Sequence, residues 1–152
     1  MAEINTAHLF STSLKVTEIQ NLGKTPLGDR RVAVVEGGSF EGPKLKGTVL
    51  RGGSDWILAR PDGALQLDVR LTLKTDDGEI IGMTYRGFRH GPAAVMERLN
   101  RGEIVDPSEY YFRTAPFFET ASEKYGWLNR IVTVATGHRL PDGPVYHVFE
   151  VL

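Results

Sequence analysis

Between Ala64 and Lys74 the chain alternates without interruption. Leu65, Leu67, Val69, Leu71 and Leu73 fall on one side, and Gln66, Asp68, Arg70, Thr72 and Lys74 on the other. Successive side chains of a strand point to opposite faces, so this segment is predicted to be a strand with one apolar face to bury. Asp76-Asp77-Gly78 supplies turn chemistry, and Glu79 to Arg89 reads as the returning arm of a hairpin. The same reading gives strands over His8 to Val16, Arg31 to Phe40, Gly47 to Leu50, Asp55 to Ala59, Tyr110 to Thr120, Trp127 to Arg139 and Val145 to Leu152. Pro61-Asp62-Gly63 and Pro141-Asp142-Gly143-Pro144 are turns, because proline presets φ and glycine accepts positive φ. Gly37-Gly38 and Gly52-Gly53 lack the Gly-Lys-Ser/Thr ending of a phosphate loop and are read as bulges or tight corners. One helix is predicted, Pro92 to Asn100, with proline at its start and Gly102 just past its end. About eight to ten antiparallel strands with one short helix point to an all-β barrel. Closure removes exposed edges, and a barrel of this size holds one small ligand.

At 152 residues without repeats or linkers, one domain over residues 1–152 is expected. Several function classes fall away on composition. There is no cysteine, which excludes disulfides, thiol catalysis and zinc–thiolate sites. His8, His90, His138 and His147 show no metal-ligand spacing, so no metal is expected. There is no Gly-x-Ser-x-Gly turn. A net charge of −1 gives no field for nucleic acid. Arg86, Arg89, Arg98 and Arg101 are dispersed and balanced by Glu97 and Glu103, so nucleic acid is not an expected partner. No apolar run nears the ~20 residues of a membrane span, and the N-terminus lacks signal-peptide character. The expectation is a cytoplasmic protein with neither membrane nor nucleic-acid partner.

Candidate chemistry sits on strand faces that mix aromatic and charged groups. Tyr111, Arg113, Phe117 and Glu119 share one face of the Tyr110 to Thr120 strand. Asp68 and Arg70 share another, Tyr85 lies with Met83 and Gly87, Trp127 with Asn129, and Trp56 follows Asp55. Two orientations are open. If these faces point inward, they line a pocket with apolar walls and a few polar groups, as small-molecule sites are built. The apolar faces would then lie outside, which implies a homodimer or higher oligomer. If the leucines point inward instead, Asp68 and Arg70 form an ordinary solvent-facing pair.

Gly37-Gly38-Ser39-Phe40-Glu41-Gly42-Pro43, Gly52-Gly53-Ser54-Asp55-Trp56, Tyr110-Tyr111-Phe112-Arg113-Thr114, Phe118-Glu119-Thr120 and Trp127-Leu128-Asn129 together resemble the domain-of-unknown-function 3237 family, also called uncharacterised protein family 0311. The likeness runs from about His8 to Leu152, and Arg51 departs from it where a proline is expected before the Gly-Gly pair. The resemblance implies a lipocalin-like antiparallel barrel, often dimeric, and no particular activity. Cofactor-free phenolic acid decarboxylases are similar in fold type and in placing Tyr, Arg and Glu inside a small barrel, although their motifs do not align with this chain.

With the inward orientation, the residues describe a cofactor-independent lyase or isomerase, a decarboxylase among the options, acting on a small aromatic acid. Arg113 clamps a carboxylate. Tyr111 and Tyr85 bond a developing oxyanion. Asp68 or Glu119 is the acid or base if burial raises its pKa. Arg70, Asp55, Trp56, Trp127 and Asn129 complete the binding set. The alternatives are a ligand-binding barrel without catalysis, in which Trp56, Trp127 and Tyr85 stack on the ligand, and a structural dimerisation module.

Overall fold

The computed structural model describes residues 1–152. Nine strands form one antiparallel sheet: β1 (Thr6–Thr25), β2 (Gly28–Glu41), β3 (Lys46–Val49), β4 (Gly53–Ala59), β5 (Leu65–Thr75), β6 (Ile80–His90), β7 (Tyr111–Glu119), β8 (Thr133–Leu140) and β9 (Gly143–Val151). Each long strand pairs with its neighbour around the sheet, and β1 pairs with both β9 and β2, so the sheet closes on itself as a barrel. Strand β2 is shared: its first half pairs with β4 and its second half with β3. The handover falls at Gly37-Gly38, where the β1–β2 register also shifts. A side chain there has no room, because a Cβ on Gly38 would lie 2.1 Å from the Ser13 carbonyl oxygen. The glycine pair is therefore a corner, as its composition predicts.

Strands β1 and β2 are longer than predicted. Residues 17–25 and 28–30 extend the pair into a hairpin that the alternation of apolar residues does not reveal, because most of the β1 part is exposed. The strand predicted from Trp127 to Arg139 starts later than expected. Residues Gly126–Arg130 form a 3₁₀ turn, and β8 begins only at Thr133. The helix α1 (Ala93–Asn100) follows Pro92 and ends before Gly102, whose φ of +83° stops it. Its buried residues, Val95 and Leu99, stand four apart and so share one face.

The interior takes the leucine side of β5. Leu65, Leu67, Val69, Leu71, Leu73 and Thr75 are all buried. Ile81, Met83, Tyr85 and Arg89 line the inner face of β6, and Phe112, Thr114, Pro116 and Phe118 that of β7. Phe40 and Phe118 both pack against Phe10 at one end of the barrel, with ring centroids 5.4 and 5.8 Å from that of Phe10. The other end is less completely filled, and it is the end where α1 lies.

Close approach fixes one wall of that emptier end. Gly137 faces inward on β8, and a Cβ there would meet the Phe112 ring at 2.7 Å. Gly137→Ala is expected to displace Phe112 and destabilise the barrel by about 1–3 kcal/mol, read as a lower urea midpoint at unchanged slope. An unchanged midpoint would show that the ring moves freely and is not held by the glycine.

Candidate functional site

Cross-strand pairing builds the site in layers. Ala33 on β2 pairs with Asp55 on β4, Asp55 with Val69 on β5, Val69 with Tyr85 on β6, and Tyr85 with Pro116 on β7. Asp55 and Tyr85 thus point inward at one level, with Val69 between them. Arg89 is four residues beyond Tyr85 on the same face of β6, one layer pair nearer α1. Arg31 precedes Ala33 on the inner face of β2, Arg139 follows Gly137 on β8, and Tyr146 faces in from β9. Together they line a cavity of about 190 Å³ whose remaining wall is mostly apolar, including Leu14, Val35, Ile57, Leu67 and Phe112. Leu99 and Asn100 of α1 contribute to it from the end of the barrel.

The aromatic rings are ordered by edge-on packing. Tyr146 lies edge-on to Tyr85 and to Phe112, at 5.1 and 5.3 Å between centroids. The Arg89 guanidinium stands 5.5 Å from the centre of the Phe112 ring, a cation–π contact inside the barrel. The Tyr110 hydroxyl accepts the backbone N–H of Arg139 at 2.8 Å and ties the start of β7 to β8.

The electrostatics are unusual for an interior. Arg89 is 7% exposed, its Nε has no hydrogen-bond partner, and no carboxylate comes within ion-pair distance of it. Burial lowers its pKa to about 10, and repulsion from Arg139 adds to that. Arg139 is lowered as well, chiefly by burial. Burial raises Asp55 to about 6, against the lowering effect of an N–H bond from Asp68 (3.1 Å to Oδ1) and of the Arg89 and Arg31 charges. Asp55 is half-buried and lines the cavity. Tyr85 and Tyr146 are pushed above the ordinary phenol value, first by burial. A carboxyl that titrates near neutrality, beside a buried and unpaired guanidinium, is equipped to bind an anion and to move a proton.

Of the residues expected from sequence, Asp55 and Tyr85 line this cavity. The expected inward orientation is corrected for the others. Asp68, Arg70, Tyr111, Arg113 and Glu119 lie on the outer face, because the apolar partner positions on β5 and β7 fill the inside. Arg113 donates to the Phe112 carbonyl at 2.9 Å and lies 5.5 Å from the Tyr111 ring centre. Tyr111 and Arg113 border an open groove on the barrel's outside, with Phe88 and Val134, and share no pocket with Tyr85. Asp68 reaches the cavity only through its backbone N–H. Trp56 faces out and is 47% exposed. Trp127 and Asn129 are not on a strand. Asn129 holds the end of β7 by bonding both the N–H and the carbonyl of Thr120, at 2.8 and 2.9 Å, and Trp127 packs partly buried beneath Lys44.

Arg31, Arg89, Arg139 and Tyr146 were not anticipated. Each sits on an inward row, Tyr85-Gly87-Arg89 for instance, so parity from Tyr85 would have found Arg89. The structure brings together no group of three or more His, Asp or Glu able to hold a metal ion, and no helix is long and apolar enough to cross a membrane.

A family profile described as Protein of unknown function (DUF3237) matches residues 4–151. A UPF0311 protein from Bradyrhizobium diazoefficiens is 36% identical over 149 residues, covering 98% of this chain and 97% of its own. A hydroalkoxylation enzyme from Penicillium herquei is 26% identical over 138 residues, covering 91% and 77%. A solved protein of unknown function from Rhodopseudomonas palustris superposes with a TM-score of 0.96 at 33% identity, with both chains covered fully (100% each). A beta-barrel like protein from Acinetobacter baumannii superposes at 0.87 with 36% identity, covering 100% of this chain and 98% of its own.

The Asp55 shift carries a pH dependence with a definite sign. A carboxyl whose pKa is higher folded than unfolded favours folding below its unfolded value of 3.8 and loses that contribution as pH rises through about 6. Asp55→Asn does not titrate. Its stability relative to wild type should therefore grow from pH 4 to pH 7, by up to ~3 kcal/mol, in urea denaturation at each pH. A constant difference across that range would contradict the shift.

Proposed function

The chain belongs to the DUF3237 family, and on that footing we propose that it is a cofactor-independent lyase or isomerase that acts on a small aromatic acid inside the barrel. One observation carries this reading: the buried, unpaired Arg89 guanidinium stands in the same cavity as Asp55, the one interior carboxyl poised near neutral pH. A buried cation without a counter-charge is costly, and a ligand carboxylate would neutralise it through paired N–H bonds. The Tyr85, Phe112 and Tyr146 rings offer flat apolar walls to an aromatic skeleton. The cavity is smaller than the ~300–1,000 Å³ of drug-sized sites, which limits the substrate to about one ring with short substituents.

In this reading Asp55 is the proton carrier. In an elimination or double-bond shift, its carboxylate takes a proton from carbon; in the addition direction, its carboxyl returns it. In a decarboxylation, the C–CO₂ bond breaks and Asp55 delivers the proton that replaces CO₂. Each case balances without an oxidant or reductant. The Penicillium relative's hydroalkoxylation adds O–H across a carbon–carbon double bond, which is also proton transfer without net redox, and it supports this class of chemistry. The sequence-based roles given to Arg113 and Glu119 pass to Arg89 and Asp55.

Turnover of a panel of hydroxycinnamic and related acids tests the assignment. Asp55→Asn should lose about 10²-fold or more in kcat, the usual size of general acid–base catalysis. Turnover in Asp55→Asn equal to wild type would remove Asp55 from the chemistry. Recovery of every acid unaltered from the wild-type protein would leave a binding barrel.

Arg89→Met separates binding from folding. It should abolish binding of these acids yet leave the unliganded barrel as stable as wild type, or more so by about 1–4 kcal/mol, because a well-packed apolar replacement removes a buried charge. A marked loss of stability in the unliganded state would mean that Arg89 is a structural element.

A further inference from the structure

Positive groups outnumber negative ones inside the barrel. Arg31, Arg89 and Arg139 line the cavity, and Asp55 is the sole carboxylate that does. None of the three guanidiniums lies within 4.0 Å of any carboxylate oxygen. With Asp55 ionised the cavity still carries a net charge of two positive, and with Asp55 protonated it carries three. The other titratable groups that face it, Tyr85 and Tyr146, are held neutral by burial and add no negative charge. Tyr110, beside Arg139, is likewise raised.

The three cations also come from different sides of the ring. Arg31 stands on β2 opposite Ile57, Arg89 on β6 opposite Leu65, and Arg139 on β8 opposite Pro144. One carboxylate has two oxygens in one plane. It can be gripped in parallel by one guanidinium. A single such group brings one negative charge, which leaves the cavity one positive charge in excess even with Asp55 ionised.

We propose that the cavity is built for a small dianion: a flat aromatic acid that carries a second anionic oxygen across the ring from its carboxylate. This rests on the reading of the cavity as an aromatic-acid site and adds the charge of its ligand. The second oxygen belongs either to another carboxylate or to a phenolate. Two anionic groups on opposite edges of one ring neutralise the excess charge and reach guanidiniums on separate strands, while the ring lies among Tyr85, Phe112 and Tyr146. Asp55 is then free of ion pairing and available for the proton.

Calorimetric titration of the full chain at pH 7.5 with terephthalate, 4-hydroxybenzoate and benzoate tests this. Terephthalate brings two carboxylates. 4-Hydroxybenzoate becomes a dianion only by releasing its phenolic proton, which makes the heat depend on the buffer. Benzoate is the monoanion of the same ring. The expected result is a Kd for at least one of the first two about tenfold or more below that of benzoate, as one added charge-assisted contact provides. Tighter terephthalate identifies the dicarboxylate form; tighter 4-hydroxybenzoate with proton release identifies the phenolate form. Arg139→Gln should reduce the advantage to under about threefold, and Arg139→Lys should restore most of it. Equal or tighter binding of benzoate overturns the proposal, as does failure of both dianions to bind at millimolar concentration. Asp55→Asn should bind the preferred dianion at least as tightly as wild type, because it leaves the cavity more positive. Its turnover tests the proton-transfer reading, and its ligand ranking tests the charge, so either can fail alone.

Discussion

Closure of the sheet between β1 and β2 decides which side chains share an interior, and the candidate site follows from that one pairing. A strand offers each side chain one of two faces. In an open sheet the choice separates two surfaces; in a closed one it separates a sealed volume from solvent. Leucines and valines of β5 take the inside because burying them is favourable by roughly 1.5–3 kcal/mol each. Once β5 is fixed, hydrogen-bonded register carries the choice to β4 and β6 and then around the ring. Asp55 and Tyr85 arrive inside because they pair through Val69.

This order of causes explains how far the sequence could be read. The barrel, the helix and the glycine corner follow from local signals: alternation over residues 64–74, proline before α1 and Gly102 after it, and the pair Gly37-Gly38. The site is harder, because facing is relative. The Tyr111-Arg113-Glu119 row reads as a pocket wall, since aromatics seldom accompany charges on a solvated face. Its alternate row, Tyr110-Phe112-Thr114-Pro116-Phe118, is more apolar and won the interior. The arginines that do enter are single residues near the ends of otherwise apolar rows, and a lone charge at a row's end reads as the strand leaving the core. Trp127 and Asn129 escape the pattern for another reason. The bonds from Asn129 to both backbone groups of Thr120 make a turn, and those bonds join residues nine apart through side-chain geometry that periodicity does not encode.

The interior is divided by chemistry along its length. The phenylalanine cluster around Phe10 closes one end with contacts that need no partner. The other end holds charges that folding alone does not neutralise. A protein with only the first would be a stable plug. The second places Arg31, Arg89 and Arg139 without ion pairs in layers away from that cluster, so apolar packing and charge occupy different layers of one core.

Helix α1 has a consequence for timing. Most other walls of the cavity belong to strands bonded on both sides, Ile19 in the β1–β2 extension being bonded on one, whereas Leu99 and Asn100 belong to a helix held largely by the buried faces of Val95 and Leu99. The wall that yields most cheaply is therefore at the charged end. Opening of that end and undocking of the helix are then one event, governed by how firmly Val95 and Leu99 together grip the core.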